Sequence, residues 1–147
     1  MTSSPLETSV AWVALGSNVG SRTRALACLR DELQSAGLVI EAASSEILTR
    51  PVGVTAQEDF HNQVIRVRAP APQTPRQWLM QCKHAEQRCG RRESYHWGPR
   101  VADADVLLLG ESGEIRVDED GLRVPHPELN NRPYLARLLR ELGVAGY

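Results

Sequence analysis

The chain has 147 residues, of which 41% are hydrophobic and 24% charged, and its net charge is −1 at pH 7. This composition is ordinary for a folded protein, so we expect a single domain over residues 1–147. The near-neutral charge gives no global field for nucleic acid or an anionic membrane, and no apolar stretch approaches the ~20 residues of a membrane span. Lys83 is the only lysine, which excludes a Walker-type phosphate loop because that loop needs a lysine after its glycines.

The three cysteines, Cys28, Cys82 and Cys89, contain no C-x-x-C pair. Disulfides are rare in the cytoplasm, and isolated buried thiols are common there. The segment MTSSPLETS is not the pattern of a signal peptide. We therefore expect a cytoplasmic protein with reduced structural thiols, rather than a disulfide or a metal site at the cysteines.

The first half of the chain predicts three strands around one helix. Leu26, Leu29 and Leu33 recur at helical spacing, and residues 62–69 alternate between apolar and polar side chains as in a half-buried strand. The glycines of the GSNVGS segment are expected to shape a turn rather than to cradle phosphate. The predicted elements are a strand at 9–15, the turn at 16–21, a helix from Ser21 to Gly37, a strand at 38–48 weakened by Ser44 and Ser45, a loop at 50–59 and a strand at 62–69.

The second half contains the clearest local signal in the chain. Thr74 is followed by Pro75 and then by Gln77, which is the pattern of a capping box at a helix start. Leucines at 135, 138, 139 and 142 predict an amphipathic C-terminal helix. The predicted elements are a helix from Thr74 to Cys89 that stops at Gly90, a polar loop, a strand at 102–109, a hairpin at 115–124 that turns at Asp120 and Gly121, and a helix that ends at Gly143.

This β-α-β-β-α-β order predicts an α+β fold of the ferredoxin-like kind. Its antiparallel sheet would carry both helices on one face, with a small hairpin and a C-terminal helix added. The opposite face of the sheet and its loops are then expected to be free to bind a ligand.

Asp103 and Asp105 lie two residues apart on the last predicted strand, in the segment RVADADVLLLG. Residues i and i+2 of a strand point the same way with Cα atoms ~6.5–7 Å apart, so both carboxylates are expected on one face together with Leu107 and Leu109. Leu108 would lie on the other face. Two carboxylates this close repel unless a cation lies between them. Mg²⁺ ions on a polyphosphate would satisfy the pair, and so would nearby arginines such as Arg100, and the spacing alone leaves both possibilities open.

Positive charge is concentrated just before this strand, at Lys83, Arg88, Arg91, Arg92 and Arg100. Arginine suits phosphate because its planar fork donates two parallel hydrogen bonds, so the segment indicates a Mg²⁺–nucleotide site. A solvated basic helix face is the alternative. Phe60 and Tyr134 could stack a flat heterocycle whose edge Asn62 binds, or they could simply fill the core.

Four segments together resemble the 6-hydroxymethyl-7,8-dihydropterin pyrophosphokinase family of folate biosynthesis. They are VALGSNVGSR (13–22), TRPVG with DFHNQV (49–64), WGPRVADADVLLLG (97–110) and VPHPELNNRPY (124–134), in the family's order. The resemblance implies a ferredoxin-like fold and transfer of pyrophosphate from ATP to the pterin hydroxymethyl group, with release of AMP. We further expect a monomer whose partners are these two substrates, with no nucleic acid and no membrane.

The resemblance also implies a role for each matched position. Asp103 and Asp105 would hold two Mg²⁺ ions on the triphosphate, while Arg92, Arg100 and His126 would steady the charge that shifts during transfer. The positions expected at ATP are Glu86, Arg91, Arg92, Arg100, His126 and Arg132. Those expected at the pterin are Thr49, Val52, Phe60, Asn62, Trp97 and Tyr134, and Trp97 would lie on a loop that closes over the site.

The chain departs from the family's pattern at three places. The loop before Trp97 is shorter than the family's, which leaves open whether Arg91 or Arg92 reaches phosphate. Arg50 stands in a pterin-contacting stretch that is usually apolar, and Arg123 stands where a small hydroxylated residue is common. None of these changes touches the carboxylate pair.

The main alternative of a different class is a ferredoxin-like nucleotide- or RNA-binding module without catalysis. An RNA recognition motif shares the order of elements but stacks bases on aromatic residues of its inner strands, which residues 62–69 lack. A degenerate enzyme would bind nucleotide without turnover. A D-x-D transferase for sugar nucleotides would explain the carboxylates and leave WGPR, VPH and NR unexplained.

Overall fold

The computed structural model of the chain describes residues 6–17, 22–49, 60–90 and 102–147. The elements in chain order are β1 (Thr8–Ser17), α1 (Arg22–Ser35), β2 (Val39–Ala43), β3 (Ile47–Thr49), β4 (Phe60–Gln73), α2 (Pro75–Arg88), β5 (Asp103–Leu109), β6 (Val117–Glu119), β7 (Leu122–Val124) and α3 (Pro133–Glu141). A 3-10 helix, Pro127–Asn130, precedes α3. Within these residues, no helix combines the length and apolarity needed to cross a membrane.

The main sheet is antiparallel and has the order β2-β4-β1-β5, with β3 pairing the first residues of β4. One face of the sheet packs against α1 and α2 through a core that includes Leu26, Leu29, Trp78 and Cys82. Strand β1 therefore lies in the centre of the sheet, between β4 and β5. This arrangement confirms the predicted ferredoxin-like fold, and β6 and β7 form the predicted hairpin.

The expectation that the second face of the sheet is free is wrong, because this face is not open along its length. Helix α3 covers it through Leu135, Leu138 and Leu139, which pack in a second core with Trp12 and Val64. The reason is that an amphipathic helix must bury its leucine stripe somewhere, and this face is the apolar surface available to it. The open part of the face is confined to one end of the sheet.

Charged side chains also cover the second face of the sheet at Trp12, which is 3% exposed. The Arg66 guanidinium lies 4.8 Å from the centre of the Trp12 ring. Arg66 also donates from Nε to Glu41 at 2.9 Å and from Nη1 to the carbonyl of Glu111 at 2.9 Å. These contacts leave little of the two central strands open on this part of the face.

The strand predicted at 38–48 is two strands, β2 and β3, separated at Ser44–Glu46. Ser44 Oγ accepts the N–H of Val64 at 2.9 Å, and the N–H and hydroxyl of Ser45 donate to the Glu141 carboxylate at 2.7 and 2.9 Å. Serine side chains that bond the backbone in this way replace regular ladder bonds. Ser44 and Ser45, expected only to weaken one strand, thus divide it into β2 and β3.

Strand β5 contains a β-bulge. Trp12 pairs with Leu108 while the next residue, Val13, pairs with Val106, so Leu107 has no opposite partner in the ladder. Leu107 and Leu108 therefore both pack in the core under α3, and Leu109 packs on the helix face. The predicted alternation of side chains between the two sheet faces is wrong beyond Leu107. A β-bulge places two consecutive residues opposite one residue of the partner strand, so the alternation shifts by one residue.

Helix α2 begins and is anchored by specific hydrogen bonds. The predicted capping box is confirmed: Thr74 Oγ1 accepts the Gln77 N–H at 3.2 Å, and the Gln77 side chain accepts the Thr74 N–H at 2.8 Å. Near its end, Glu86 is 5% exposed and accepts the backbone N–H of Ala104 at 2.8 Å. This bond ties α2 to the start of β5.

Cys28 and Cys89 form a disulfide, which contradicts the expectation of three reduced thiols. They are 61 residues apart in sequence, but α1 and α2 lie side by side on the same sheet face and bring their Cα atoms to 5.9 Å. Cys82 is the remaining cysteine and is buried. Burial raises the pKa of its thiol and keeps it protonated.

Reduction of the Cys28–Cys89 bond is expected to lower the free energy of unfolding by about 2–4 kcal/mol, because the bond restricts the unfolded chain. Urea unfolding with and without reductant measures the difference. The double variant Cys28→Ser/Cys89→Ser is the control and should match the reduced wild type. Cys82 should resist alkylation until the protein unfolds. Equal urea midpoints in both conditions would contradict the expectation.

Replacement of Glu86 by leucine is expected to lower the free energy of unfolding by about 1–3 kcal/mol, because the buried Ala104 N–H then loses its acceptor. Glu86→Gln keeps an oxygen at that position and should lose less. Gln87→Leu, on the exposed side of the same helix, should change stability by about 0.5 kcal/mol or less. Chemical denaturation of the three variants measures this, and equal losses in all three would disprove the anchoring role.

Candidate active site

Polar side chains of β4 and β5 meet at one end of the main sheet, where β1 ends and β4 and β5 begin. Gly16 of β1 pairs with Asn62 of β4 on one side and with Asp103 of β5 on the other. Two residues earlier, Ala14 pairs with Asp105. Because neighbouring strands are ~4.8 Å apart, the Asn62 and Asp103 backbones lie about 10 Å apart across a glycine.

A cleft of about 230 Å³ opens over this row, on the sheet face that carries α3. Its floor is made by the small residues of β1, and its walls come from β4, β5, the 3-10 helix and the first turn of α3. The polar and aromatic residues that line it are Phe60, Asn62, Asp103, Asp105, His126, Glu128, Arg132 and Tyr134. We call this space the first cavity.

A second cavity of about 380 Å³ adjoins the first, between α2, β5 and the β6–β7 hairpin. Leu79, Val106 and Leu122 give it an apolar lining, and Lys83 and Arg123 supply two cationic side chains. Asp105, His126 and Glu128 line both cavities. The two spaces therefore share one wall, and Asp105 stands at their junction.

Asn62 lines the first cavity, and its Oδ1 lies next to the open space above Gly16. It is 7% exposed, and its Nδ2 donates to Thr49 Oγ1 at 2.8 Å and to the Phe60 carbonyl at 3.3 Å. Within the described residues, no donor is bonded to its Oδ1. A buried acceptor in this position is suited to an N–H group of a ligand.

His126 begins the 3-10 helix and is fixed at both its backbone and its ring. Its N–H donates to the Leu107 carbonyl at 2.9 Å, and its Nδ1 accepts the Glu128 N–H at 3.1 Å. An imidazole whose Nδ1 accepts carries its proton on Nε2 when neutral. His126 can thus offer an N–H donor to an anionic group in the cavities.

Arg132 brings positive charge toward the carboxylate pair. Its Nε donates to Glu128 at 3.0 Å, and its Nη1 donates to the Tyr134 hydroxyl at 3.4 Å. Burial acts to lower the pKa of the guanidinium, but Tyr134, Glu128 and Asp105 together outweigh burial and raise that pKa. Arg132 therefore stays charged within electrostatic reach of Asp105.

The carboxylates of Asp103 and Asp105 fit a hard divalent cation. Asp103 is half-buried and Asp105 is exposed, so at least one carboxylate is open to solvent and a ligand. Within the part of the chain that the structure describes, no three His, Cys, Asp or Glu side chains form a metal-binding group. Mg²⁺ needs no such cage, since it takes one or two carboxylates, waters and substrate phosphates. The residues present fit Mg²⁺ carried by a polyphosphate.

The first cavity brings together seven of the residues that the sequence singled out: Phe60, Asn62, Asp103, Asp105, His126, Arg132 and Tyr134. Two others line neither cavity: Thr49 lies behind Asn62, and Glu86 lies on α2 and bonds Ala104. Arg88 of the basic segment points to Glu32, 3.3 Å away, on the surface. Val52, Arg91, Arg92, Trp97 and Arg100, and also Arg50, lie outside the described residues.

Glu128 and Gly16 are among the residues of the site that sequence reasoning missed. Glu128 lines both cavities, and its position four residues before Arg132 is a signal that could have indicated the ion pair between them. Gly16 lies in the floor of the first cavity, whereas the sequence predicts that its segment only shapes a turn.

Comparison with known proteins gives one consistent family. The family model described as 7,8-dihydro-6-hydroxymethylpterin-pyrophosphokinase matches residues 12–144. The 2-amino-4-hydroxy-6-hydroxymethyldihydropteridine pyrophosphokinase of Bacillus subtilis (strain 168) is 32% identical over 137 residues, which cover 90% of this chain and 77% of the relative. The protein of the same name from Aquifex aeolicus (strain VF5) is 33% identical over 131 residues, which cover 89% of this chain and 78% of the relative.

A longer relative matches over a similar share of this chain. The mitochondrial folate synthesis bifunctional protein of Pisum sativum is 35% identical over 134 residues, which cover 90% of this chain and 25% of that protein. The residues matched by the family model include every residue that lines the two cavities, and the family agrees with the one indicated by the sequence motifs. The chain belongs to the 7,8-dihydro-6-hydroxymethylpterin-pyrophosphokinase family.

Proposed function

We propose that the two adjoining cavities are the active site of this chain. As a member of its family, the chain is a pyrophosphokinase of folate synthesis that transfers pyrophosphate from ATP to the hydroxymethyl group of the dihydropterin. The observation that supports this site is the shared wall, in which Asp105, His126 and Glu128 line both cavities. Two substrates that exchange a group must meet at such a junction.

In this proposal the first cavity takes the pterin. Its flat ring lies against Phe60 and Tyr134, which supply apolar and aromatic surface, and its N–H edge donates to Asn62 Oδ1. Thr49 acts on the ring through Asn62, because its hydroxyl accepts the Nδ2 hydrogen bond that sets the amide. Val52 and Trp97 stay predictions from the family resemblance.

The second cavity takes the nucleotide. Leu79, Val106 and Leu122 offer an apolar surface for the base, and Lys83 and Arg123 place positive charge around it. The Nε2–H of His126 and the guanidinium of Arg132 reach toward the phosphates at the junction. Arg91 or Arg92, together with Arg100, would add phosphate contacts from the segment that precedes β5.

Asp103 and Asp105 would hold two Mg²⁺ ions between the substrates. Bound there, the ions would neutralise phosphate charge and lower the pKa of the pterin hydroxyl. The protein's own contribution is to fix the two carboxylates on one face of β5 and to balance them with Arg132. This preorganised charge is what phosphoryl transfer chiefly requires.

The reaction forms one bond and breaks one. The hydroxymethyl oxygen bonds to the β-phosphorus of ATP, the bond from that phosphorus to the oxygen shared with the α-phosphate breaks, and AMP leaves with that oxygen. The hydroxyl proton is lost to solvent or to a phosphate oxygen. Clamping of the pterin in the first cavity holds its hydroxyl close to the junction, which lowers the entropic cost of the encounter.

We also propose that the chain acts as a cytoplasmic monomer, without nucleic acid or a membrane. ATP and reduced pterins are intracellular substrates, and one chain supplies both cavities. The non-catalytic RNA-binding alternative is disfavoured because α3 and the charged side chains around Arg66 cover the face that such a module would use.

Replacement of Asp103 or Asp105 by alanine is expected to lower turnover at least about 100-fold, because metal charge is worth several kcal/mol to the transition state. AMP formation from ATP and the hydroxymethyldihydropterin measures turnover. Asp31→Ala, on the exposed side of α1, is the control and should retain full turnover. Activity within about tenfold of the wild type in both site variants, or formation of ADP instead of AMP, would contradict the assignment.

Replacement of Phe60 or Tyr134 by alanine is expected to raise KM for the pterin by about tenfold, since each ring contributes stacking and burial of ~1.5 kcal/mol. KM for ATP should change by less than about twofold, because neither residue lines the second cavity. Steady-state kinetics with each substrate varied separates the two effects. A parallel rise in both KM values would argue against separate cavities for the two substrates.

A further inference from the structure

Gly16 lies inside the central strand of the sheet, where glycine weakens a strand relative to alanine. Its conformation does not require glycine, because the positive-φ glycines of the described chain are at other positions. Gly16 also does not belong to the turn, since it is paired with Asn62 and Asp103 within β1. The turn-shaping role expected from the sequence is therefore wrong for this glycine. What distinguishes glycine at position 16 is that it has no side chain.

A Cβ atom on residue 16 would lie 3.2 Å from Oδ1 of Asn62. This separation is tighter than an ordinary van der Waals contact. The Asn62 amide is not free to turn away, because its Nδ2 is bonded to Thr49 and to the Phe60 carbonyl. The space above Gly16 is thus the space in front of the Asn62 acceptor.

We infer that Gly16 is a specificity-determining residue for the heterocyclic substrate. Its missing side chain leaves the Asn62 carbonyl oxygen open to a ring N–H and lets a flat ring lie low over β1. Gly16 lines the first cavity and not the second, so a methyl group there obstructs the ring and leaves the nucleotide's space unchanged. This inference rests on the proposed placement of the pterin in the first cavity.

Gly16→Ala is expected to weaken binding of the hydroxymethyldihydropterin at least about tenfold, while KM for ATP stays within about twofold. The melting temperature should change little, because the gain from alanine in a strand interior offsets the tight contact with Asn62 Oδ1. Titration calorimetry with the pterin, ATP kinetics and thermal unfolding give the three readouts. The control is Ala43→Val, which adds methyl groups on the exposed edge strand β2 and should alter neither substrate's binding.

The double variant Gly16→Ala/Asn62→Ala tests the mechanism directly. Without the Asn62 oxygen, the added methyl group should cost less than about twofold in pterin affinity, so the two substitutions should be strongly non-additive. Full additivity, or a Gly16→Ala protein with normal pterin affinity, would overturn the inference. A fall in melting temperature with equal loss of both substrates would overturn it too, as a general folding defect.

The same variants distinguish a failure of this inference from a failure of the proposed site. If Asn62→Ala weakens pterin binding and Gly16→Ala does not, the steric role of Gly16 is refuted and the site stands. If Asn62→Ala and Phe60→Ala both leave pterin affinity unchanged, the placement of the pterin in the first cavity is refuted and the inference falls with it.

Discussion

Strand β1 pairs with β4 along one edge and with β5 along the other, and this double pairing determines where the polar side chains of the site stand. Asn62 and Asp103 are 41 positions apart by their numbers in the sequence, yet Gly16 aligns both in one row. The ladder bonds that set this register are backbone bonds, so the spacing does not depend on flexible side chains. The proposed ring-binding part and the charge-bearing part of the cleft thus share one rigid support.

Electrostatics explains why the carboxylate pair is tolerated at this place. Two neighbouring carboxylates destabilise a fold when they are buried without compensation. Here Asp105 is exposed, Arg132 is within electrostatic reach of it, and Lys83 and Arg123 line the adjoining cavity. The repulsion that remains favours the binding of cations with a polyphosphate. In the proposed site, the same charges would hold cations that accompany the phosphate chain.

Features written into short stretches of sequence were predictable. Each of these features depends on residues that lie within a few positions of one another: the capping box at Thr74, the leucine spacing of α1 and α3, and the alternation in β4. The Cys28–Cys89 bond and the cover of α3 over the second sheet face depend on contacts between distant residues, which local patterns do not encode. Within the site, Asp103, Asp105 and Asn62 followed from local spacing and the family resemblance. Gly16 was misread because a glycine in a G-S-N segment is usually explained by backbone conformation.

The bulge at Leu107 has a consequence for how this site tolerates change. Leu108 packs in the core under α3, and Leu109 packs in the core under α1 and α2. If these two residues kept their places and β5 had no bulge, regular alternation would put the Asp103 and Asp105 side chains on the face covered by α2. One irregular residue thus decides whether the acids meet solvent or packed aliphatic side chains. Insertion of a single amino acid between Asp105 and Leu108 would therefore move both carboxylates to the opposite face of the sheet, although neither aspartate is itself replaced.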